Sequence, residues 1–127
     1  MMCFILAKLG SLSTIHYGVS GEVYALDSKT LLVKNFQYEG GAPAAYFVVG
    51  TSGQPDNQHV AAVLPYPFKG QHYSYEDPDI PDIPASATED ENILLTLPPW
   101  VEVEDLTWMS VFCREFNVDF GHFMVKK

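Results

Sequence analysis

Residues 106–113 read LTWMSVFC, and residues 118–125 read VDFGHFMV. Side chains of a strand point alternately to its two faces. In the first run Leu106, Trp108, Ser110 and Phe112 share one face, and Met109, Val111 and Cys113 share the other. The second run reads as the last strand, with Gly121 marking a bulge. Toward the N-terminus the same richness in β-branched and aromatic residues recurs. Residues 19–27 (VSGEVYALD) end at the turn signal Asp27-Ser28-Lys29, and residues 30–36 (TLLVKNF) form the next strand. Residues 37–43 (QYEGGAP) make a turn around Gly40 and Gly41, and residues 45–50 (AYFVVG) are a short buried run. Residues 51–57 (TSGQPDN) are a loop, residues 59–64 a strand before Pro65, and residues 92–97 (NILLTL) a strand closed by Pro98-Pro99. No apolar stripe of helical period exceeds two turns. Strands divided by turn signals predict an all-β fold, an antiparallel β-sandwich or jelly roll of six to eight strands.

The 127 residues suit one domain spanning the chain. An apolar fraction of 47% with 18% charged residues excludes a disordered composition. The net charge of −9 argues against nucleic acid, whose phosphates are held by Lys and Arg, and against docking on anionic lipid. The acid is concentrated. Residues 75–91 hold Glu76, Asp77, Asp79, Asp82, Glu89, Asp90 and Glu91 and no base, leaving the rest of the chain nearly balanced. Residues 65–91 also carry five of the nine prolines and show no period. Proline offers no ladder donor, so this stretch is expected to be a long, extended, partly mobile loop with a solvated acidic face. The apolar run at residues 1–7 (MMCFILA) is too short to span a bilayer and lacks the basic start of a signal peptide. It reads as a first strand or a cut edge, so the chain is expected to be a fragment or an alternative start. No direct membrane insertion is expected.

Chemistry-bearing residues are few. Two cysteines, Cys3 and Cys113, do not make a disulfide framework, although they could pair once. Cys113 reads either as a small buried hydrophobe or as a redox thiol or thiolate ligand, which would need a partly open, electropositive setting. Its neighbour Arg114 would point to the other face. Blue copper needs two His, a Cys and usually a weak Met. Cys113, His122 and Met124 lie near one another in the chain, with His16, His59 and His72 elsewhere, but eight residues separate Cys113 from His122, which disfavours copper. The four His show no paired spacing for zinc. Asp77, Asp79 and Asp82 lack the register of a calcium loop. Hydrolase and nucleotide motifs are absent from the sequence. Trp108, Phe112, Phe116, Phe120 and Phe123 read as core. Tyr66, Tyr73, Tyr75 and Trp100 fall in or beside loops, where they either pack the loop down or offer rings to a sugar or protein surface.

Two blocks together resemble the DM-thirteen domain of Knickkopf- and Skeletor-type proteins. They are residues 16–50, HYGVSGEVYALDSKTLLVKNFQYEGGAPAAYFVVG, and residues 95–121, LTLPPWVEVEDLTWMSVFCREFNVDFG. The resemblance implies an extracellular all-β module, set beside further DM-thirteen or DOMON domains in longer chains. It maps the family's cysteine onto Cys113, for which it implies a redox role as a bare thiol or through haem, in oxidative modification of cell-surface proteins. Knickkopf-type members organise and protect cuticle chitin. The expectation is therefore a matrix module working with chitin or cuticle proteins, not an enzyme by itself and requiring no cofactor. The alternative is an electron-transfer module in which Cys113 acts as a thiol, or with His122 holds haem or copper. The sequence departs from the family pattern in its long acidic insert and in lacking a clear signal peptide.

Overall fold

The computed structural model describes residues 7–125. The strands are β1 (Ala7–Ser11), β2 (Ser20–Asp27), β3 (Thr30–Gln37), β4 (Ala45–Gly50), β5 (Ala62–Leu64), β6 (Asn92–Thr96), β7 (Trp108–Cys113) and β8 (Val118–Met124). They form two four-stranded sheets in the orders β1-β2-β3-β6 and β5-β4-β7-β8. Every strand pair is antiparallel. The sheets face one another across a core that includes Val23, Leu31, Val33, Phe36, Phe47, Val49, Ile93, Leu95, Met109 and Val111. This is the expected sandwich. Cys3, and with it a Cys3–Cys113 pairing, lies outside the described residues. No helix among the described residues is long and apolar enough to cross a membrane.

Local chemistry sets the strand ends. The Asp27 carboxylate accepts the Lys29 N–H at 2.8 Å, closing the β2–β3 turn. The same hydrogen bond, as the largest cause, lowers the Asp27 pKa. The strand predicted over residues 59–64 shortens to Ala62–Leu64. Its first residues are diverted into a turn, where Asp56 accepts both the backbone N–H of His59, at 3.0 Å, and its ring nitrogen, at 2.7 Å. Likewise β7 begins at Trp108, because Leu106 closes a short 3-10 turn with its N–H on the Val103 carbonyl. Leu106 faces the inter-sheet core instead of sharing a face with Trp108. Phe120 is the extra residue of a bulge in β8, between the pairs Val111↔Gly121 and Phe112↔Asp119. Gly121 is required there, since a Cβ would come within 2.2 Å of the Ser13 carbonyl.

The sheet β5-β4-β7-β8 is buried on both faces. Tyr46, Val48, Val63, Trp108 and Phe112 form a second cluster on the side away from the other sheet, joined by Ile80. The cover on that side is the irregular chain around residues 51–60 and 73–80. Gly50 admits Trp108 to this layer, because a Cβ at position 50 would stand 2.1 Å from the indole. Trp108 Nε1 donates to the Ser52 carbonyl at 3.0 Å.

The long acidic segment is irregular chain with one short 3-10 turn, Ala85–Glu89. Its carboxylates face outward, but its backbone is fastened. Arg114 Nη1 donates to the carbonyls of Tyr75 and Asp77 at 2.7 and 2.8 Å. The guanidinium also lies over the rings of Tyr46 and Tyr75. Further along, Ile83 donates its N–H to the Ala45 carbonyl, and Ile83 and Ala87 enter the main core. Phe116 is a second correction. It is 64% exposed, because it sits in the turn between β7 and β8 where no layer covers it.

Candidate functional site

Cys113 ends β7, paired with Ala45 of β4 and Val118 of β8. Its position in the alternation carries it into the inter-sheet side, and it is 0% exposed. The thiol donates to the Pro43 carbonyl at 3.2 Å. It forms the floor of a cavity of about 280 Å³ whose walls include His16, Tyr17, Pro43, Phe116 and Phe120. No lining residue carries an ammonium, guanidinium or carboxylate group. Reactive cysteines are partly open, whereas this thiol is covered and no Lys or Arg lines the cavity. Arg114 is adjacent in the chain, yet its guanidinium serves the opposite face.

Cys113 and His122 do not form one ligand set. His122 pairs with Ser110, on the face opposite Cys113. Its Nδ1 binds the Asp119 carboxylate, which also accepts the Ser110 hydroxyl at 2.7 Å and the Gly121 N–H at 3.0 Å. Met124 pairs with Trp108, so it too lies away from Cys113. The strand period, which the sequence spacing alone could not apply across the turn, separates them. Among the described residues no group of three His, Cys, Asp or Glu could hold a metal ion. A haem on Cys113 fits no better. The thiol is fully covered and already donates to the Pro43 carbonyl.

The loop aromatics divide. Tyr66 donates its hydroxyl to the Asp90 carboxylate at 2.6 Å, tying the two ends of the long segment together. Burial first, and then this bond, push its pKa up to about 12. Tyr75 donates to Asn57 Oδ1 at 2.6 Å under the Arg114 guanidinium, and burial raises its pKa strongly. Both act mainly as fasteners. Trp100 is 59% exposed, yet its Nε1 donates to the Ala61 carbonyl at 3.0 Å, so the ring is held in one orientation. It borders a cavity of about 360 Å³ with His72, Tyr73, Tyr75 and Glu76. The structure thus brings Trp100, Tyr73 and Tyr75 together, while Tyr66 borders a neighbouring cavity that it shares with Tyr73.

Two members of this site were not singled out in the sequence. His72 lies between the rings of Phe68 and Trp100, and its Nδ1 is buried without a hydrogen-bond partner. Glu76 accepts the Ser74 hydroxyl at 2.6 Å, which holds its pKa below the ordinary value. A fixed aromatic ring beside an ionised carboxylate can bind a polar molecule that has an apolar face. Nothing in the spacing of residues 61, 72, 76 and 100 announces this, because the fold alone joins them.

Residues 11–125 match the sequence profile of the family described as Electron transfer DM13. The chain belongs to the DM13 family. Two Drosophila melanogaster proteins are similar to it. Protein Skeletor, isoforms B/C, is 39% identical over 117 residues, covering 90% of this chain and 13% of that protein. Protein Skeletor, isoforms D/E, shows the same identity over the same length, covering 7% of its own chain. The chain thus spans a small part of these relatives. No solved structure matches it. The DM13 match includes Cys113 and the whole Trp100 site.

Proposed function

We propose that this DM13 domain is a non-catalytic binding module of a longer extracellular protein. On this reading it contacts chitin or cuticle proteins through the Trp100 site and stands beside further DM13 or DOMON domains. The observation that carries the reading is the state of Trp100, an indole 59% exposed whose ring nitrogen is already committed to a backbone carbonyl. Such a ring loses little freedom on binding, which is what preorganisation contributes to affinity. Sugar rings present an apolar face to an aromatic plane and hydroxyls to flanking polar groups, and the Glu76 carboxylate in the lining supplies such a group. Retention of the wild type on chitin beads, lost in Trp100→Ala and Tyr73→Ala, is the expected result. Absence of wild-type retention would remove direct chitin contact.

A second reading is an electron-transfer role for Cys113 as a bare thiol in oxidative modification of surface proteins. The family description and the cavity above the thiol favour it. It requires that the covering layer open. A native thiol that alkylates as fast as the unfolded one would support this reading.

A further inference from the structure

The cavity above Cys113 has properties that neither reading uses. Its volume of about 280 Å³ is nearly twice the roughly 150 Å³ of an apolar cavity that accepts benzene. The walls are rings. Tyr17 lies 4.6 Å from Phe120 between centroids, and His16 meets Phe120 edge-on at 6.1 Å. Two large apolar side chains at its rim are left in water, Phe116 at 64% and Tyr17 at 44% exposure.

The backbone holds these rings in place at a conformational cost. Tyr17, Ala44 and Asn117 have left-handed φ values of 56°, 53° and 53°. Each is at or beside the lining: Tyr17 in it, Ala44 after Pro43, and Asn117 between Phe116 and Val118. Non-glycine residues adopt this region at a cost and persist there when their surroundings fix them. Here the Tyr17 carbonyl accepts the Glu39 N–H at 2.8 Å, and the Ala44 carbonyl accepts the Arg114 N–H at 2.9 Å. Asn117 Oδ1 accepts the Asn57 N–H at 2.9 Å. The mouth is therefore built before any ligand arrives.

The lining also selects. It holds no carboxylate group, so a cationic ligand would be desolvated without a counter-ion. Two polar side chains of the lining make no hydrogen bond, the His16 ring, which engages Phe120 edge-on, and the Tyr17 hydroxyl. We infer that this cavity binds a small, flat, uncharged aromatic molecule carrying one hydrogen-bonding group, stacked among Tyr17, Phe116 and Phe120 with that group on His16. The inference goes beyond both functional readings. It needs no electron transfer and no contact at Trp100, so its failure would leave them standing.

The test is titration of the full 127-residue chain with indole, followed by amide shifts. Saturable shifts centred on Tyr17, Cys113, Phe116 and Val118 are expected. Phe116→Ala, at an exposed position, should weaken binding about tenfold, and Val118→Trp should abolish it by filling the space. Tryptamine, which carries an ammonium group, should bind at least tenfold more weakly than indole. Three results would each overturn the inference: no saturable shift with the wild type, binding unchanged in both variants, or equal binding of the charged analogue.

Discussion

The two cavities that border Cys113 and Trp100 are similar in size and opposite in chemistry. The first, about 280 Å³, is walled by rings and floored by a thiol that is covered and already donating to a carbonyl. The second, about 360 Å³, has a fixed exposed indole, a buried imidazole nitrogen without a partner and an ionised carboxylate. The residue that stands out most in the sequence is thus the less available one in the fold. The difference arises from which layer covers each. Another sheet backs the inner face of β7, while irregular chain held by a few specific ties covers its outer face. A carboxylate survives at the edge of the second cover, while the first is lined by no Asp, Glu, Lys or Arg.

Four experiments press on that contrast, from the largest effect downward. Alkylation of Cys113 in the native state should be slower than in denaturant by on the order of a thousandfold or more, because reaction awaits an opening that costs much of the global stability. A fast native rate would break the contrast. Arg114→Ala should cost about 2–3 kcal/mol, the scale of hydrogen bonds made by a charged donor, in urea unfolding. Hydrogen exchange should show residues 73–80 loosened more than the paired amides of β4 and β7. Lys at 114 should not restore it, since one ammonium lacks the guanidinium plane that lies over Tyr46 and Tyr75.

The third experiment concerns alkaline pH. The Tyr66 phenol is raised in the fold, so above its unfolded value the unfolded chain holds fewer protons than the native one. The stability that neutral Tyr66 contributes is complete below pH of about 10 and is lost as pH rises toward about 12. Tyr66→Phe should flatten that decline, as read from denaturation at stepped pH. The smallest expected effect is with haem. Adding it should give the same Soret band for wild type and Cys113→Ser, and a band shift that depended on Cys113 would reopen that site.

What the sequence disclosed was local. The Asp27-Ser28-Lys29 turn, the alternation of β7 and the bulge at Gly121 each depend on neighbours within a few residues, so each could be read. Partners far along the chain could not. Arg114 binds carbonyls 39 and 37 residues upstream. The anchors Ile80, Ile83 and Ala87 have no strand or helix period, so the sequence shows a long loop but not which of its residues enter the core. Phe116 was misassigned because residue type alone puts a Phe inside, while its place in a tight β7–β8 turn leaves it out. In the site, Trp100 was legible as a loop aromatic after Pro98-Pro99. His72 and Glu76 were not, because they meet Trp100 only through tertiary packing.

The central claim is that chitin contact resides at the Trp100 site and not at Cys113. Retention on chitin of wild type, Trp100→Ala and Cys113→Ala, measured side by side with folding checked by circular dichroism, tests it most directly. The expected result is retention of wild type and Cys113→Ala with at least a tenfold loss for Trp100→Ala. Loss in Cys113→Ala with Trp100→Ala fully retained would contradict the account.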